Sequence, residues 1–187
     1  MTTASELRDA ALEEFASAGY LATSIQAIAD RAGVSKASVL YHFSSKEALL
    51  EAALSSALDE LAAFVPRTAQ LTGGDDERRA FLVEFVDLLL HHRLAAQIFI
   101  TQFGALVDVP VVARAQALIQ QISAARPQQT LDDQVRFAVA LGGAAYLLAH
   151  VGAYGADGAL GEAPDDAELR DSLIRVLDEL LAPVTPA

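Results

Sequence analysis

The side chains best suited to recognise another molecule lie in one short segment, GVSKASVLYHFSSKEALL, at residues 33–50. The segment contains both lysines of the chain, Lys36 and Lys46, whereas the remaining cationic side chains are arginines. At about 100° per helical residue, the side chains between the two lysines divide into an apolar face and a second face. This second face consists of Ala37, Ser38, Tyr41 and His42. Small and hydrogen-bonding side chains between two cations suit the surface of DNA.

Each residue of this face can make a contact that DNA offers. Ser38 can donate a hydrogen bond to a base edge or accept one from it, and the methyl group of Ala37 can contact a thymine methyl. Tyr41 and His42 can hydrogen-bond to phosphate oxygens at the wall of the groove. We therefore expect the segment to read bases and to hold the backbone beside them.

Four further residues are expected to bind phosphate. Ser24 and Ser35 stand where helices begin, so their hydroxyls and the neighbouring N–H groups suit phosphate oxygens. Lys36 and Lys46 bracket the recognition helix and are predicted to clamp the backbone on its two sides. The alternative is an ordinary helical hairpin with two solvated lysines.

Two short helices and a turn must position these residues. Ser24 is expected to cap the first of these two helices, which is the second helix of the chain. Its apolar face consists of Ile25, Ile28, Ala29 and Ala32. Gly33 makes a sharp turn, and the second helix runs from Ser35 to about His42. This is the helix-turn-helix geometry, in which the second helix enters the major groove.

The rest of the chain is also predicted to be helical, without the alternation typical of strands. Capping-box spacing joins Thr3 to Glu6 at the start of the first helix, and Ser44 to Glu47 at the start of a long fourth helix. Further helices are predicted at about 76–93, 94–106, 110–125, 130–153 and 165–182.

The segment TSIQAIADRAGVSKASVLYHFSSKEALL, residues 23–50, resembles the DNA-binding signature of the TetR-type transcriptional repressors. The matching residues are Ile28, Ala29, Ala32, Gly33, Val34, Ser35, Lys36, His42, Phe43, Ser45, Lys46, Glu47 and Leu49. The resemblance implies an all-α fold with an N-terminal three-helix helix-turn-helix DNA-binding domain at residues 1–47. A long helix joins it to a larger helical domain, at residues 48–187, that binds an effector and dimerises.

Two positions depart from this signature. The family most often has Gly where this chain has Ala37, and Tyr where it has Leu40, with Tyr41 one place later. A phosphate contact from the usual tyrosine therefore does not transfer to Leu40, and Ala37 permits a less close approach than Gly. Both residues favour helix, so the scaffold is expected to persist.

The C-terminal part has features that favour pairing with a second copy. The resemblance implies a homodimer, and a single helix-turn-helix needs a twofold partner to bind a palindromic operator. Residues 130–153 are apolar on every face, and small residues at 142–145 allow backbones to approach closely. The last helix carries an apolar stripe of Leu169, Leu173, Val176, Leu177 and Leu180. Two such helices per subunit would form a four-helix interface, whereas burial in a monomeric core is the alternative.

The resemblance also implies a pocket for a small-molecule effector. Candidate lining residues follow helical spacing on two helices and the start of a third. They are Phe85, Leu89, His92, Phe99, Gln102, Phe103 and Phe137. Mostly apolar cavities are typical of small-molecule sites, although such stripes also occur in plain core. Because His92 is the only member that can carry a charge, we expect a mainly hydrophobic effector.

Charge limits the possible functions. The formal net charge is −12, which repels DNA at long range, so any DNA contact must be local. We predict a ligand-responsive transcriptional regulator, most simply a repressor that its effector releases from DNA. The second hypothesis is a helical ligand-binding or adaptor protein that keeps the scaffold and no longer binds DNA.

No catalytic or metal-binding motif accompanies these features. His91 and His92 lie near Glu84 and Asp87, but the residue three places before each histidine is apolar, unlike the pattern of helical di-iron sites. We therefore predict no enzyme activity, cofactor or metal. The absence of cysteine fits a reducing cytoplasm. The apolar stretch at 137–154 is rich in Ala and Gly, which favours a helix buried on all sides over a membrane span.

Overall fold

The computed structural model describes residues 3–72, 74–107, 109–124, 130–156 and 165–182. These residues form nine α-helices and one 3-10 segment and contain no β-strand, which confirms the predicted all-α fold. The helices are α1 (Ala4–Ala18), α2 (Ile25–Arg31), α3 (Lys36–His42), α4 (Lys46–Phe64), α5 (Asp75–His91), α6 (Arg93–Leu106), α7 (Pro110–Ala124), α8 (Leu131–Ala156) and α9 (Asp166–Leu181). The 3-10 segment, Val65–Thr72, joins α4 to α5 and was not predicted.

Polar caps determine where the helices begin. At α1 the predicted capping box is confirmed, because the Thr3 hydroxyl accepts from the Glu6 N–H while the Glu6 carboxylate accepts from the Thr3 N–H. At α4 the prediction was wrong by one residue. Ser45, and not Ser44, caps this helix, since its Oγ accepts the Ala48 N–H at 3.0 Å. The shift places Lys46 at the first helical position.

Gly33 makes the turn between α2 and α3. Its φ of 68° lies in the left-handed region that favours glycine. The next N–H, of Val34, donates to the Ala29 carbonyl at 2.9 Å and closes the turn against α2. A larger residue at position 33 would adopt this conformation only with strain, so the angle between the two helices depends on this glycine.

Two hydrophobic clusters hold the helices together, and α4 contributes to both. The first cluster joins α1–α4 to α6 and α7, and α4 supplies Leu49, Leu50, Leu54 and Leu58 to it. The second joins α5, α8 and α9, and α4 reaches it with Phe64. The first cluster contains residues from both sides of the predicted domain boundary between positions 47 and 48. That boundary therefore stays a prediction.

Helices α8 and α9 differ from their predicted packing. Leu173 and Leu177 of the α9 stripe are buried inside the chain in the second cluster, and Val176 is exposed. Helix α8 is not buried on all sides, because Val135 and Val139 are 53% and 59% exposed. Among the described residues, no single helix is long and apolar enough to cross a membrane, although α6 and α7 would qualify as a pair bent by 117°.

Candidate nucleic-acid interface and effector cavity

Helix α3 presents most of its predicted recognition face to solvent. Val39 is fully buried and anchors the helix on the first cluster. Four residues predicted to contact DNA are exposed, namely Lys36, Ala37, Tyr41 and His42. Ser38 is half-buried between the two faces. The face is one helix wide, which is the width that the major groove of DNA accepts.

Leu40 belongs to the exposed side of α3, contrary to the prediction from helical angle. Its side chain is 42% exposed, although it follows the buried Val39 directly. A helix of seven residues touches the core along a narrow line, and Leu40 lies at the margin of that line. With Tyr41, which is 86% exposed, it adds apolar surface beside the recognition face.

The two serines predicted to bind phosphate also cap their helices. Ser24 Oγ accepts the Ala27 N–H, and Ser35 Oγ accepts the Ser38 N–H, each at 3.1 Å. Both serines are exposed. A hydroxyl that accepts through its oxygen can still donate its hydrogen to phosphate. Their predicted phosphate contacts are therefore compatible with the caps.

Lys46 is partly buried, and its amine is bound to the protein rather than extended into solvent. Its Nζ donates to the carbonyls of Tyr20 at 2.8 Å and Thr23 at 2.9 Å, and it lies 4.4 Å from the centre of the Tyr20 ring. Two of its three N–H groups are thus engaged, which leaves one for phosphate. The prediction that Lys46 extends as a clamp needs this correction, because the lysine also fastens the α1–α2 loop to α4.

Arg31 reinforces the same scaffold. Its guanidinium bonds to Glu14 at 2.6 Å and Glu13 at 3.0 Å, which holds the end of α2 against α1. The hydrogen bond with Glu14 raises the pKa of Arg31 further above its usual range. The arginine nearest α3 is therefore directed toward α1. Lys36, in contrast, is an exposed lysine on the recognition helix itself.

A cavity of about 750 Å³ lies among α4–α8, away from the recognition face. Four predicted residues line it: Phe85, Leu89, Phe99 and Phe137. Its volume falls in the range of small-molecule sites. Among the described lining residues none is charged, and the polar side chains are Ser123 and Gln134.

Three residues predicted for this lining lie elsewhere. His92 faces Glu60, with 3.0 Å between Nε2 and Oε2, and Phe103 is exposed and absent from the described lining. Gln102 turns toward α1, where its Oε1 accepts the Tyr20 N–H at 2.6 Å and its Nε2 donates to the Phe15 carbonyl at 2.7 Å. Helical spacing placed these residues near the cavity, but each side chain leaves its helix in another direction.

Helix α7 supplies lining residues that the sequence analysis missed. Ile119, Ile122 and Ser123 show the spacing of a helix face, but that spacing is equally typical of core. Small residues of α8, among them Gly142 and Ala145, also line the cavity. They were interpreted as contacts between backbones. Their small side chains leave part of the cavity open.

Comparison with known proteins agrees with this geometry. A sequence model of the family described as bacterial regulatory proteins, tetR family, matches residues 7–53. The HTH-type transcriptional activator FasR of Mycolicibacterium smegmatis is 40% identical over 87 residues, which make up 46% of this chain and 40% of that protein. The HTH-type transcriptional regulator RutR of Escherichia coli is 50% identical over 50 residues, or 27% of this chain and 24% of that protein. The matches thus span less than half the length of these relatives.

Solved structures resemble the chain over almost its whole length. The ketosteroid transcriptional regulator KstR2 of Mycobacterium tuberculosis has a TM-score of 0.74 at 19% identity, covering 98% of this chain and 95% of that one. A TetR-like transcriptional regulator from a Rhodococcus species has a TM-score of 0.65 at 21% identity, covering 95% and 92%. At such identities the similarity shows the fold and does not extend to the ligand.

Proposed function

We propose that this chain, whose residues 7–53 match the tetR family of bacterial regulatory proteins, is a ligand-responsive repressor of that family. It binds a palindromic operator in double-stranded DNA as a homodimer and leaves the operator when a small hydrophobic effector fills the cavity. One observation carries the proposal: an exposed recognition face and a mostly apolar cavity occur in one chain and share a hydrophobic cluster. A regulator of this kind acts in the cytoplasm, where the DNA is.

The operator contact is proposed to centre on α3. Ala37 and Ser38 face the bases, while Lys36, Tyr41 and His42 hold the phosphates on either side. Ser24, Ser35 and the remaining N–H group of Lys46 add phosphate contacts from the neighbouring helix starts. Since these residues lie on a domain of low net charge, the contact depends on shape and close approach more than on long-range attraction.

The homodimer is proposed to form through α8. Its exposed apolar residues recur at helical spacing and make one continuous stripe: Leu131, Val135, Val139 and Tyr146. Gly142 lies in the middle of this stripe by helical angle, and an added Cβ there would meet open space. An exposed apolar stripe of this length is typical of an interface. It supports the predicted dimer, with α8 in the main role and α9 in a lesser one.

The effector is proposed to be an uncharged or weakly polar hydrophobic molecule. A charged group would be buried against a described lining that carries no opposite charge, at a cost of several kcal/mol. Ser123 and Gln134 are the described polar side chains that can orient the molecule. KstR2, which has a similar fold, is a ketosteroid transcriptional regulator, so ketosteroids are a reasonable first choice for testing here.

Helix α6 is proposed to transmit occupancy of the cavity to the DNA-binding helices. Phe99 faces the cavity, while Gln102, one turn later, holds both the Phe15 carbonyl and the Tyr20 N–H. Gln97 adds a bond to the Ala16 carbonyl at 3.2 Å. An effector that displaces α6 therefore pulls directly on the end of α1. In a dimer this changes the separation of the recognition helices, which must match major grooves roughly 34–36 Å apart, or a multiple of that distance.

The first experiment is to measure binding of the purified protein to DNA upstream of its own gene, across a salt series, with and without lipophilic extracts. A repressor is expected to bind one sequence selectively and to lose affinity steeply as salt rises. A lipophilic extract should then release it. Binding without sequence preference would contradict the proposal.

The second candidate function is a helical ligand-binding or adaptor protein that no longer binds DNA. The observation that favours it is the position of Lys46, whose amine donates two of its three N–H groups to carbonyls of the protein itself. The net charge of −12 also repels DNA. No selective DNA binding at low salt, together with saturable binding of a hydrophobic ligand, would establish this alternative.

A further inference from the structure

We propose that Glu60, His91 and His92 form a binding site for one divalent transition-metal ion, with Zn²⁺ as the expected occupant. This replaces the sequence-based prediction of no metal. The site is separate from the recognition face, and its described residues are not among those that line the effector cavity. It does not depend on the proposed function.

The three residues meet where α4 passes the junction of α5 and α6. Glu60 lies near the end of α4, His91 is the last residue of α5, and His92 links α5 to α6. One ligand atom from each residue lies within 4.8 Å of the others. The two imidazole rings are 4.6 Å apart and nearly perpendicular, so their ring nitrogens can point at one centre. A modest closure brings the atoms to about 3.3 Å, the separation of ligands around tetrahedral zinc.

His92 supplies the observation that points to a ligand. Its Nε2 is buried and has no hydrogen-bond partner among the described residues, although Glu60 Oε2 is only 3.0 Å away. The two atoms are within ion-pair distance, but no hydrogen bond joins them. Buried polar atoms are nearly always satisfied, so this nitrogen calls for an explanation. A metal ion that accepts lone pairs from both atoms provides one.

The neighbouring charges leave Glu60 as the available carboxylate. Glu84 Oε1 forms an ion pair with Arg67 Nη1 at 3.0 Å, and Asp87 Oδ2 accepts a hydrogen bond from Arg170 Nη2 at 2.9 Å. These are the two acidic residues that the sequence analysis considered for a metal, and both face arginines instead. Glu60 was missed because it is on a different helix, 31 positions before His91. Only the packing of α4 against α5 brings it to the histidines.

The donor set and the space beside it favour zinc. Two imidazole nitrogens and one carboxylate oxygen are the ligands of zinc sites that keep a position for water. A groove of about 460 Å³ opens beside Glu60 and His91 and leaves room for that water. Imidazole also binds Co²⁺ and Ni²⁺, whereas Mg²⁺ and Ca²⁺ prefer all-oxygen sites. The expected order of affinity therefore places Zn²⁺ above Co²⁺, with Mg²⁺ not bound.

Occupation of the site would fix α4 against the α5–α6 junction. These helices connect the DNA-binding helices to the cavity, so the ion would stiffen the connection between them. Because the metal binds the folded chain, it should also raise the midpoint of thermal unfolding.

The test uses the untagged full-length protein, stripped of metal with a chelator and titrated with Zn²⁺ and with Co²⁺ in the absence of DNA. We expect one ion per chain, visible absorption bands of low-symmetry Co²⁺, and a higher unfolding temperature with Zn²⁺. His91→Ala and Glu60→Gln alter exposed side chains and should still fold. Each is expected to weaken Zn²⁺ binding by about tenfold or more.

Two matched variants control for charge and for histidine content. Glu84→Gln removes the same charge from the same groove, and His150→Ala removes a histidine of α8 that lies outside the cluster. Both should bind Zn²⁺ as the wild type does. The proposal is overturned if the wild type shows no saturable binding. It is equally overturned if the Glu60 and His91 variants keep wild-type affinity, or if the control variants lose as much affinity as they do.

Discussion

Ser38 is the side chain that we propose to read a base. It lies at the centre of α3, and its half-buried position limits its rotation between the exposed Ala37 and the buried Val39. A hydroxyl that faces a base edge discriminates through one hydrogen bond, worth about 1 kcal/mol. Ser38→Ala is therefore expected to weaken the preference for one base at one operator position by about fivefold. Base preferences at the other positions should stay the same.

Selection from random-sequence DNA, with wild type and variant in parallel, measures this preference. Ser17→Ala is the control, because that hydroxyl donates to the Glu13 carbonyl within α1. Identical preferences in wild type and Ser38→Ala would remove Ser38 from the proposed base contacts.

The two lysines are expected to differ in what they stabilise. Lys36→Met removes an exposed charge, so the free energy of unfolding should change by less than about 0.5 kcal/mol. Its DNA affinity should fall for all sequences, and the slope of affinity against salt should drop by about one. Lys46→Met loses two hydrogen bonds from a charged donor and should lower the free energy of unfolding by about 1–3 kcal/mol.

Urea unfolding and DNA titrations across a salt series separate these two effects. The two variants remove the same charge and keep a side chain of similar length, so each is a control for the other. Equal stability of both variants would contradict the structural role assigned to Lys46.

Helix α6 connects the cavity to α1 through Gln97 and Gln102, and the Gln102 amide offers both a donor and an acceptor. Because Gln102 Oε1 accepts the Tyr20 N–H, Gln102→Leu should expose that N–H to exchange. Loss of one hydrogen bond worth about 1 kcal/mol predicts amide exchange faster by about fivefold at Tyr20, with little change in α9.

Hydrogen exchange followed by NMR gives the rate at that amide. Thr101→Val is the matched control, since the Thr101 hydroxyl bonds to the Gln97 carbonyl inside α6 and does not cross to α1. If Tyr20 exchanges at the same rate in Gln102→Leu as in the wild type, α6 does not hold α1 in this way.

Helices α5 and α9 are joined by an ion pair whose contribution depends on pH. The hydrogen bond from Arg170 lowers the pKa of Asp87 from its usual value, against a smaller opposing effect of burial. A carboxyl with a lowered folded-state pKa stabilises the fold above its unfolded pKa, and this stabilisation is lost as pH falls through the folded pKa. Since both side chains are partly exposed, Asp87→Asn should cost no more than about 1 kcal/mol at pH 7.

The difference between wild type and Asp87→Asn should shrink as pH falls below about 4, near the unfolded pKa of aspartate. Urea unfolding at a series of pH values tests this, with Asp171→Asn, a more exposed neighbour, as the control. A difference that stays constant down to pH 2 would show that the carboxyl acts by shape and not by charge.

The sequence predicted this fold well where the signals were local, and less well where they were not. Caps and glycines act within a few residues, so the boundaries of α1, α2 and α3 followed from Thr3, Ser24 and Gly33. The direction of a side chain between distant helices has no local signal. For this reason Lys46 was assigned to DNA alone, and Gln102 was assigned to the cavity.

Burial in the whole molecule was similarly ambiguous. An apolar stripe such as that of α9 predicts that something covers it, but it does not say whether the cover is the same chain or another. In the structure α5 and α8 pack against α9, and the face left open is on α8. That outcome moves the proposed dimer contact from two helices toward one.

The open apolar face of α8 is expected to bind a second copy of the chain. Four exposed apolar side chains on one side of a helix exceed what scattered surface residues would produce, and a second copy related by a twofold axis would cover them. Val139, 59% exposed, lies close to the middle of the stripe. Val139→Glu places two like charges together across the axis and leaves the monomer's own core untouched. We therefore expect the variant to be monomeric at micromolar concentration. Its thermal unfolding should no longer depend on protein concentration.

Sedimentation velocity gives the oligomeric state of the wild type and the variant. Val107→Glu, a similarly exposed apolar position at the end of α6, is the control and should behave as the wild type. Because two linked recognition helices bind a palindrome far more tightly than one, Val139→Glu should also lose selective operator binding at salt concentrations where Val107→Glu retains it. A dimeric Val139→Glu protein would place the interface on another face. A monomeric wild type that still binds a palindrome selectively would show that operator binding does not require a dimer.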